Sequence, residues 1–82
     1  MFKIIDTKEA GKGAEYDSRK AVVLAECADL QEASEYITRN IDDVTDITIE
    51  EWEGYEFIDS YSVEYQDCMG ERILRISSVP VP

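Results

Sequence analysis

The chain of 82 residues contains no histidine, two cysteines, two prolines, four glycines and only eight lysines and arginines together. Each shortage removes a class of chemistry. Without histidine, a single chain cannot build a Ser-His-Asp or Cys-His centre, use an imidazole near neutral pH, or form a His-containing zinc site. Cys27 and Cys68 are too few for a disulfide framework and do not form a CxxC pair, so reduced thiols are expected. The longest unbroken apolar run, Ala21-Val22-Val23-Leu24-Ala25, falls far short of the roughly 20 residues that span a bilayer. With no signal-peptide apolar region at the N-terminus, a cytoplasmic protein without a membrane partner is expected. No repeat, low-complexity tract or Pro/Ser-rich linker divides the chain, which reads as one domain over residues 1–82.

Acid is what the sequence has in excess. Nineteen Asp and Glu give a formal net charge of −11, while 44% hydrophobic residues and eight aromatics are enough for a folded core. The charge is uneven. Residues 21–71 hold fifteen acids and one base, Arg39, whereas residues 1–20 and 72–82 are each slightly basic. Such a surface is repelled by phosphate backbones and anionic membranes, which excludes direct nucleic-acid binding, and it steers basic partners towards itself. Acidity that serves only solubility is the alternative reading.

Phe2 to Thr7 has the β-branched, apolar character of a strand, and Gly11-Lys12-Gly13 supplies turn freedom before a second strand over Arg19 to Glu26. That second run places Val22 and Leu24 on one face and Ala21, Val23 and Ala25 on the other. Asp29 followed by Glu32 is a capping-box variant, and Leu30, Ala33, Ile37 and Ile41 then recur at helical spacing. The helix is expected to end near Ile41, with Asn40 free to exit in a left-handed conformation. Ile47 to Trp52 favours a strand, although Thr48 with Glu51 also resembles a helix start. Tyr55 to Tyr65 alternates strongly, with Tyr55, Phe57, Tyr61, Val63 and Tyr65 on one face and Phe57, Tyr61 and Val63 expected in the core. Asp67-Cys68-Met69-Gly70 reads as a type I turn, with a return strand from Glu71 to Val79 whose Arg72 and Arg75 can meet Glu64, Glu71 or Asp67. Pro80 and Pro82 mark chain that has left the sheet. The expected fold is α+β, a small antiparallel sheet in β-β-α-β-β-β order with one helix packed on a face.

No constellation here supports catalysis or a cofactor. The acids around Glu50 to Asp59 lack a Ca²⁺-loop spacing and spread over two strand faces, so no metal site is expected. A core of this size can hardly build the cleft that paired carboxylates need for glycoside chemistry. Gly11-Lys12-Gly13 lacks phosphate-loop spacing, and Cys68 sits among acids that discourage a nucleophilic role. What remains is carboxylates interleaved with aromatics. Trp52, Tyr36 and Tyr55 lie near element ends, where an exposed aromatic side chain anchors interfaces.

In length, acidity and element order the chain resembles small phage-encoded inhibitors of bacterial defence, including anti-CRISPR proteins and the DNA-mimic inhibitor of uracil-DNA glycosylase. The resemblance lies in the whole chain and assigns no residue a role. It implies inhibition by binding. The expected function is therefore a non-catalytic inhibitor of a basic nucleic-acid-binding protein or nucleoprotein complex. Its partner-binding residues are expected to be Glu32, Glu35, Tyr36, Asp42, Asp43, Asp46, Glu50, Glu51, Trp52, Glu53, Tyr55 and Glu56, with the carboxylates replacing phosphates. The alternative is a structural or adaptor module, including a homodimer joined through an edge strand at Ile47 to Trp52.

Overall fold

The computed structural model describes residues 1–11 and 13–78. Lys12 of the glycine-rich loop, Val79, the expected end of the return strand, and Pro80, Val81 and Pro82 lie outside the described residues. Five strands and one helix follow the expected order: β1 (Phe2–Asp6), β2 (Val22–Cys27), α1 (Leu30–Asn40), β3 (Ile47–Glu53), β4 (Glu56–Cys68) and β5 (Glu71–Ser78). The sheet runs β2-β1-β3-β4-β5, with every neighbouring pair antiparallel. The chain is thus an α+β fold with α1 on one face.

Ile47–Glu53 is a strand, which resolves the ambiguity there, but it is not an edge. It pairs with β1 on one side and β4 on the other, so the homodimer through Ile47 to Trp52, one form of the alternative reading, has no free backbone to use. The edges are β2 and β5. Helix α1 starts as the capping pattern requires: the Asp29 carboxylate accepts the Glu32 amide at 2.8 Å, and the Glu32 carboxylate accepts the Ala28 amide at 3.1 Å. Ala33 and Ile37 face the sheet and are fully buried. The C-terminal exit is extended, not left-handed: Ile41 has φ −130° and its amide bonds to the Ile37 carbonyl. Tyr65 of β4 completes this end, its hydroxyl donating to the Ile41 carbonyl at 2.6 Å and so satisfying an acceptor that the helix leaves open.

The core lies between α1 and the sheet, around Ile4, Cys27, Ala33, Ile37, Val44, Ile47, Ile49 and Val63. Fully burying each of Ile4, Ile37 and Ile49 contributes about 1.5 to 3 kcal/mol. Two bulges correct the face assignments. In β2 the pairing with β1 skips Leu24, so Val23 sits opposite Ile5, and Val22, Val23 and Leu24 are all exposed. In β4 the pairing with β3 skips Ile58, so Phe57 crosses to the face away from the helix and stays about half exposed instead of entering the core. Tyr61, Val63 and Tyr65 keep the expected inward face and pack on the core.

The β1–β2 connection is built from two short 3-10 turns, Gly13–Glu15 and Ser18–Lys20, so regular strand begins at Val22 and not at Arg19. The β4–β5 turn is centred one residue later than expected, on Met69 and Gly70, both with positive φ (52° and 83°). That is a type I′ geometry, whose twist matches a hairpin where type I would splay the strands. Arg72 and Arg75 stand opposite Asp67 and Glu64 in register. Their side chains nevertheless turn elsewhere, Arg72 to Asp42 at 3.2 Å and onto the Tyr65 ring, Arg75 to the Gln66 amide oxygen.

Candidate functional site

The expected binding residues divide between opposite ends of the sheet. At one end, the α1–β3 loop carries Asp42, Asp43 and Asp46. Asp43 is spent locally, accepting the Thr45 amide and hydroxyl at 3.0 and 2.6 Å, contacts that hold its carboxyl below the usual range. Asp42 is exposed and paired with Arg72. A hollow of about 230 Å³ opens here, lined by Asp6, Lys8, Asp43, Asp46 and Ile47; the lysine among the acids gives it mixed charge.

The other end is more uniform. Glu53 and Glu56 close a two-residue turn in which Gly54 (φ +60°) precedes Tyr55, a position in type II′ turns that glycine fills without strain. One step inward Trp52 pairs with Phe57, and the next pair is Glu51 with Asp59. Register alternates the faces. Glu51, Glu53, Glu56 and Asp59 fall on the helix side of the hairpin, as a two-by-two array spaced about 5 Å across the strands and about 7 Å along them. Trp52 and Phe57 fall on the opposite side, their rings 5.7 Å apart and edge to face. Tyr55 projects from the tip with 103% relative exposure.

Both acidic pairs set like charges directly opposite each other, an arrangement that destabilises a sheet. The inner pair is held in place. Glu51 accepts the Tyr61 hydroxyl at 2.8 Å, and this bond raises the Tyr61 pKa to about 12, with burial adding to the effect. Asp59 accepts from its neighbour's amide, that of Ser60, and from the Ser78 hydroxyl. Glu53 and Glu56 are exposed at the tip. The start of α1, which follows β2 at this same end, adds the Asp29 and Glu32 carboxylates to the helix side.

Glu50 belongs to the other face. It accepts the Trp52 indole N–H at 3.0 Å and stands opposite Lys3, whose ammonium lies 4.6 Å from the Trp52 ring centre. There the charge is compensated. Trp52 and Tyr36, expected at the surface, are only partly exposed: Trp52 is stacked as above, and the Tyr36 hydroxyl reaches the Leu24 carbonyl at 3.5 Å. Glu35 and Tyr36 line a second shallow hollow of about 220 Å³, with Cys27, Glu32 and Arg39. Cys27 is a free buried thiol whose pKa is raised by burial and by Glu32 and Asp29, and Cys68 is free and exposed. Phe57, Ile58 and Asp59 join the hairpin surface although sequence reasoning left them outside the expected site. The signal was the Phe57-Ile58 doublet, where apolar alternation fails and the bulge sits.

Among the described residues no group of three or more His, Cys, Asp or Glu converges as a metal site, and no helix is long and apolar enough to cross a membrane. No protein-family model, curated protein or solved structure matches the chain. The case for function therefore rests on the surface itself.

Proposed function

We propose that this protein is a non-catalytic binder that occupies the nucleic-acid site of a basic protein or nucleoprotein complex and thereby inhibits it. The observation that carries this reading is the β3–β4 hairpin: four carboxylates on one side, two like-charged cross-strand pairs, and exposed aromatic and apolar side chains at Tyr55, Phe57 and Ile58. Repulsion of this kind costs stability, and folded proteins tolerate such conflicts chiefly where function requires them. A Lys- and Arg-lined groove removes the repulsion on binding, because its cations replace the missing counter-charge, as they would neutralise phosphates. Tyr55 at the exposed tip then supplies apolar contact beside the charged face.

The test uses the immobilised protein in a bacterial lysate, at low and high salt and with excess duplex DNA. The expected catch is a nucleic-acid-binding protein that both salt and DNA displace, and that the Glu53→Lys, Glu56→Lys double variant no longer retains. These two residues are chosen over Glu50 and Glu51 because the latter hold Trp52 and Tyr61. A catch indifferent to DNA, or retained equally by the double variant, refutes the reading.

A further inference from the structure

We propose that β5 is a self-association edge, along which a second copy of this chain pairs antiparallel about a two-fold axis at Ile73. The sheet has two outer strands, β2 and β5. β2 carries the bulge at Leu24, and a bulge twists an edge away from further pairing. β5 has no such guard. Its register against β4 runs unbroken from Glu71 to Ser78 without proline or glycine, and Ile73 in its middle keeps 45% of its surface. It is also where two copies of so acidic a chain meet with least repulsion, because β5 alone among the strands has more bases (Arg72, Arg75) than acids (Glu71).

Hydrogen-bond phase and charge together choose the register. Cys68 and Glu71 close the two-residue turn as a hydrogen-bonded pair, so Glu71, Ile73 and Arg75 direct their backbone groups at β4, while Arg72, Leu74 and Ile76 present theirs outward. Outward groups must meet outward groups, which places the axis at a residue and not between two. Glu71, Ile73 and Arg75 also share the face away from α1, whereas Leu74 and Ile76 pack on the core. With the axis at Ile73, Glu71 stands opposite the partner's Arg75 at both ends, and Ile73 stands opposite itself. These are non-hydrogen-bonded pairs, in which facing side chains come closest. Arg72 and the partner's Leu74 exchange the backbone hydrogen bonds between them. Glu71 is exposed and forms no ion pair among the described residues. Arg75 is exposed and, although Glu64 is opposite it within the chain, bonds the neutral Gln66 amide oxygen at 3.2 Å. Moving the axis to Leu74 sets Arg75 against isoleucine and Glu71 against serine, and moving it to Arg72 sets arginine against itself, so charge selects Ile73. The contact is isologous and closes at two copies, joining two five-stranded sheets into one and leaving both β3–β4 hairpins free.

Sedimentation velocity of the full chain tests this from about 1 µM to about 1 mM. Salt of about 0.15 M shortens the screening length to about 8 Å, which mutes the net-charge repulsion between copies. So short a ladder makes a weak dimer, half-formed between about 10 µM and about 500 µM. Glu71→Arg alone converts two attractive pairs into two repulsive ones and weakens the dimer about tenfold or more. It does so while making the chain less negative, so overall repulsion does not account for the loss. Adding Arg75→Glu to Glu71→Arg restores the pairs at the original net charge and regains the dimer. Ile73→Lys, at an exposed position, sets two cations at the axis and should leave a folded monomer, as read by an unchanged thermal transition. A wild-type monomer at every concentration, which would leave the edge to a strand from another protein, overturns the proposal. So does a dimer indifferent to these substitutions, or a double variant that keeps its thermal transition and stays monomeric.

Discussion

Single side chains decide how tightly the turns and caps of this protein close. Met69 occupies a left-handed position, fully exposed at 99%, with φ 52°, a conformation that costs a non-glycine residue about 1 to 2 kcal/mol. Asparagine tolerates it better and makes the favoured Asn-Gly turn with Gly70. Met69→Asn should therefore raise the free energy of unfolding by about 0.5 to 1 kcal/mol in urea titration. Tyr61 gives a pH signature. Its folded pKa of about 12 lies above the ordinary value of 10.0, so the stabilisation from its bond to Glu51 is complete below pH 10 and is lost as pH rises through about 12. The difference in stability between the wild type and Tyr61→Phe should be constant up to pH 10 and shrink above it. A constant difference through pH 12 would mean that the phenol does not depend on Glu51.

At the scale of elements, α1 was legible because its information is local: Asp29 and Glu32 at the start, and a three- and four-residue stripe through Ala33 and Ile37. The strands were legible as strands, and their order along the chain identified the fold class. Their order across the sheet was not, because β1 is flanked by β2 and β3 through pairings that no local pattern encodes. The faces of Val23 and Phe57 were misread for a related reason: each bulge changes the parity of everything beyond it. The Val22-Val23-Leu24 and Phe57-Ile58 runs are where alternation breaks, and both bulges fall there. The division of Glu50 and Glu51 between opposite strand faces was legible from alternation, but the site as a surface was not: the bulge at Ile58 brings Glu56, expected beside Glu50, onto the face of Glu51 and Glu53, and Asp42 to Asp46 lie at the far end. The β3–β4 hairpin also makes a prediction of its own. Glu53→Lys turns the Glu53–Glu56 repulsion into attraction, and should stabilise the fold by about 0.5 to 1 kcal/mol while weakening partner capture. Stability rising as binding falls is the result that a merely solvated acidic surface would not produce.

Across the whole molecule, the dominant force of one sign is self-repulsion, with −14 between residues 21 and 71 and few cations near it. Ion pairs such as Arg19–Asp17 and Arg72–Asp42 are exposed and contribute little. Added sodium chloride should therefore raise the melting temperature, as the screening length falls from about 10 Å at 0.1 M to about 3 Å at 1 M. A melting temperature that falls with salt would show that attractive pairs outweigh the repulsion. The same salt should loosen the complex with a basic partner, so folding and binding are expected to respond in opposite directions.

Trp52 is the sole tryptophan in the chain, and it sits on the aromatic side of the acidic hairpin, bracketed by Lys3, Glu50 and Phe57. Its backbone also joins the two ends of a long chain separation, exchanging hydrogen bonds with the Met1 amine and carbonyl. Intrinsic fluorescence therefore has a single emitter, placed where the first strand meets the proposed contact surface. Any event that draws Lys3 from the ring, parts β1 from β3 or covers the hairpin alters the polarity around one indole, so the molecule carries an optical probe that needs no label.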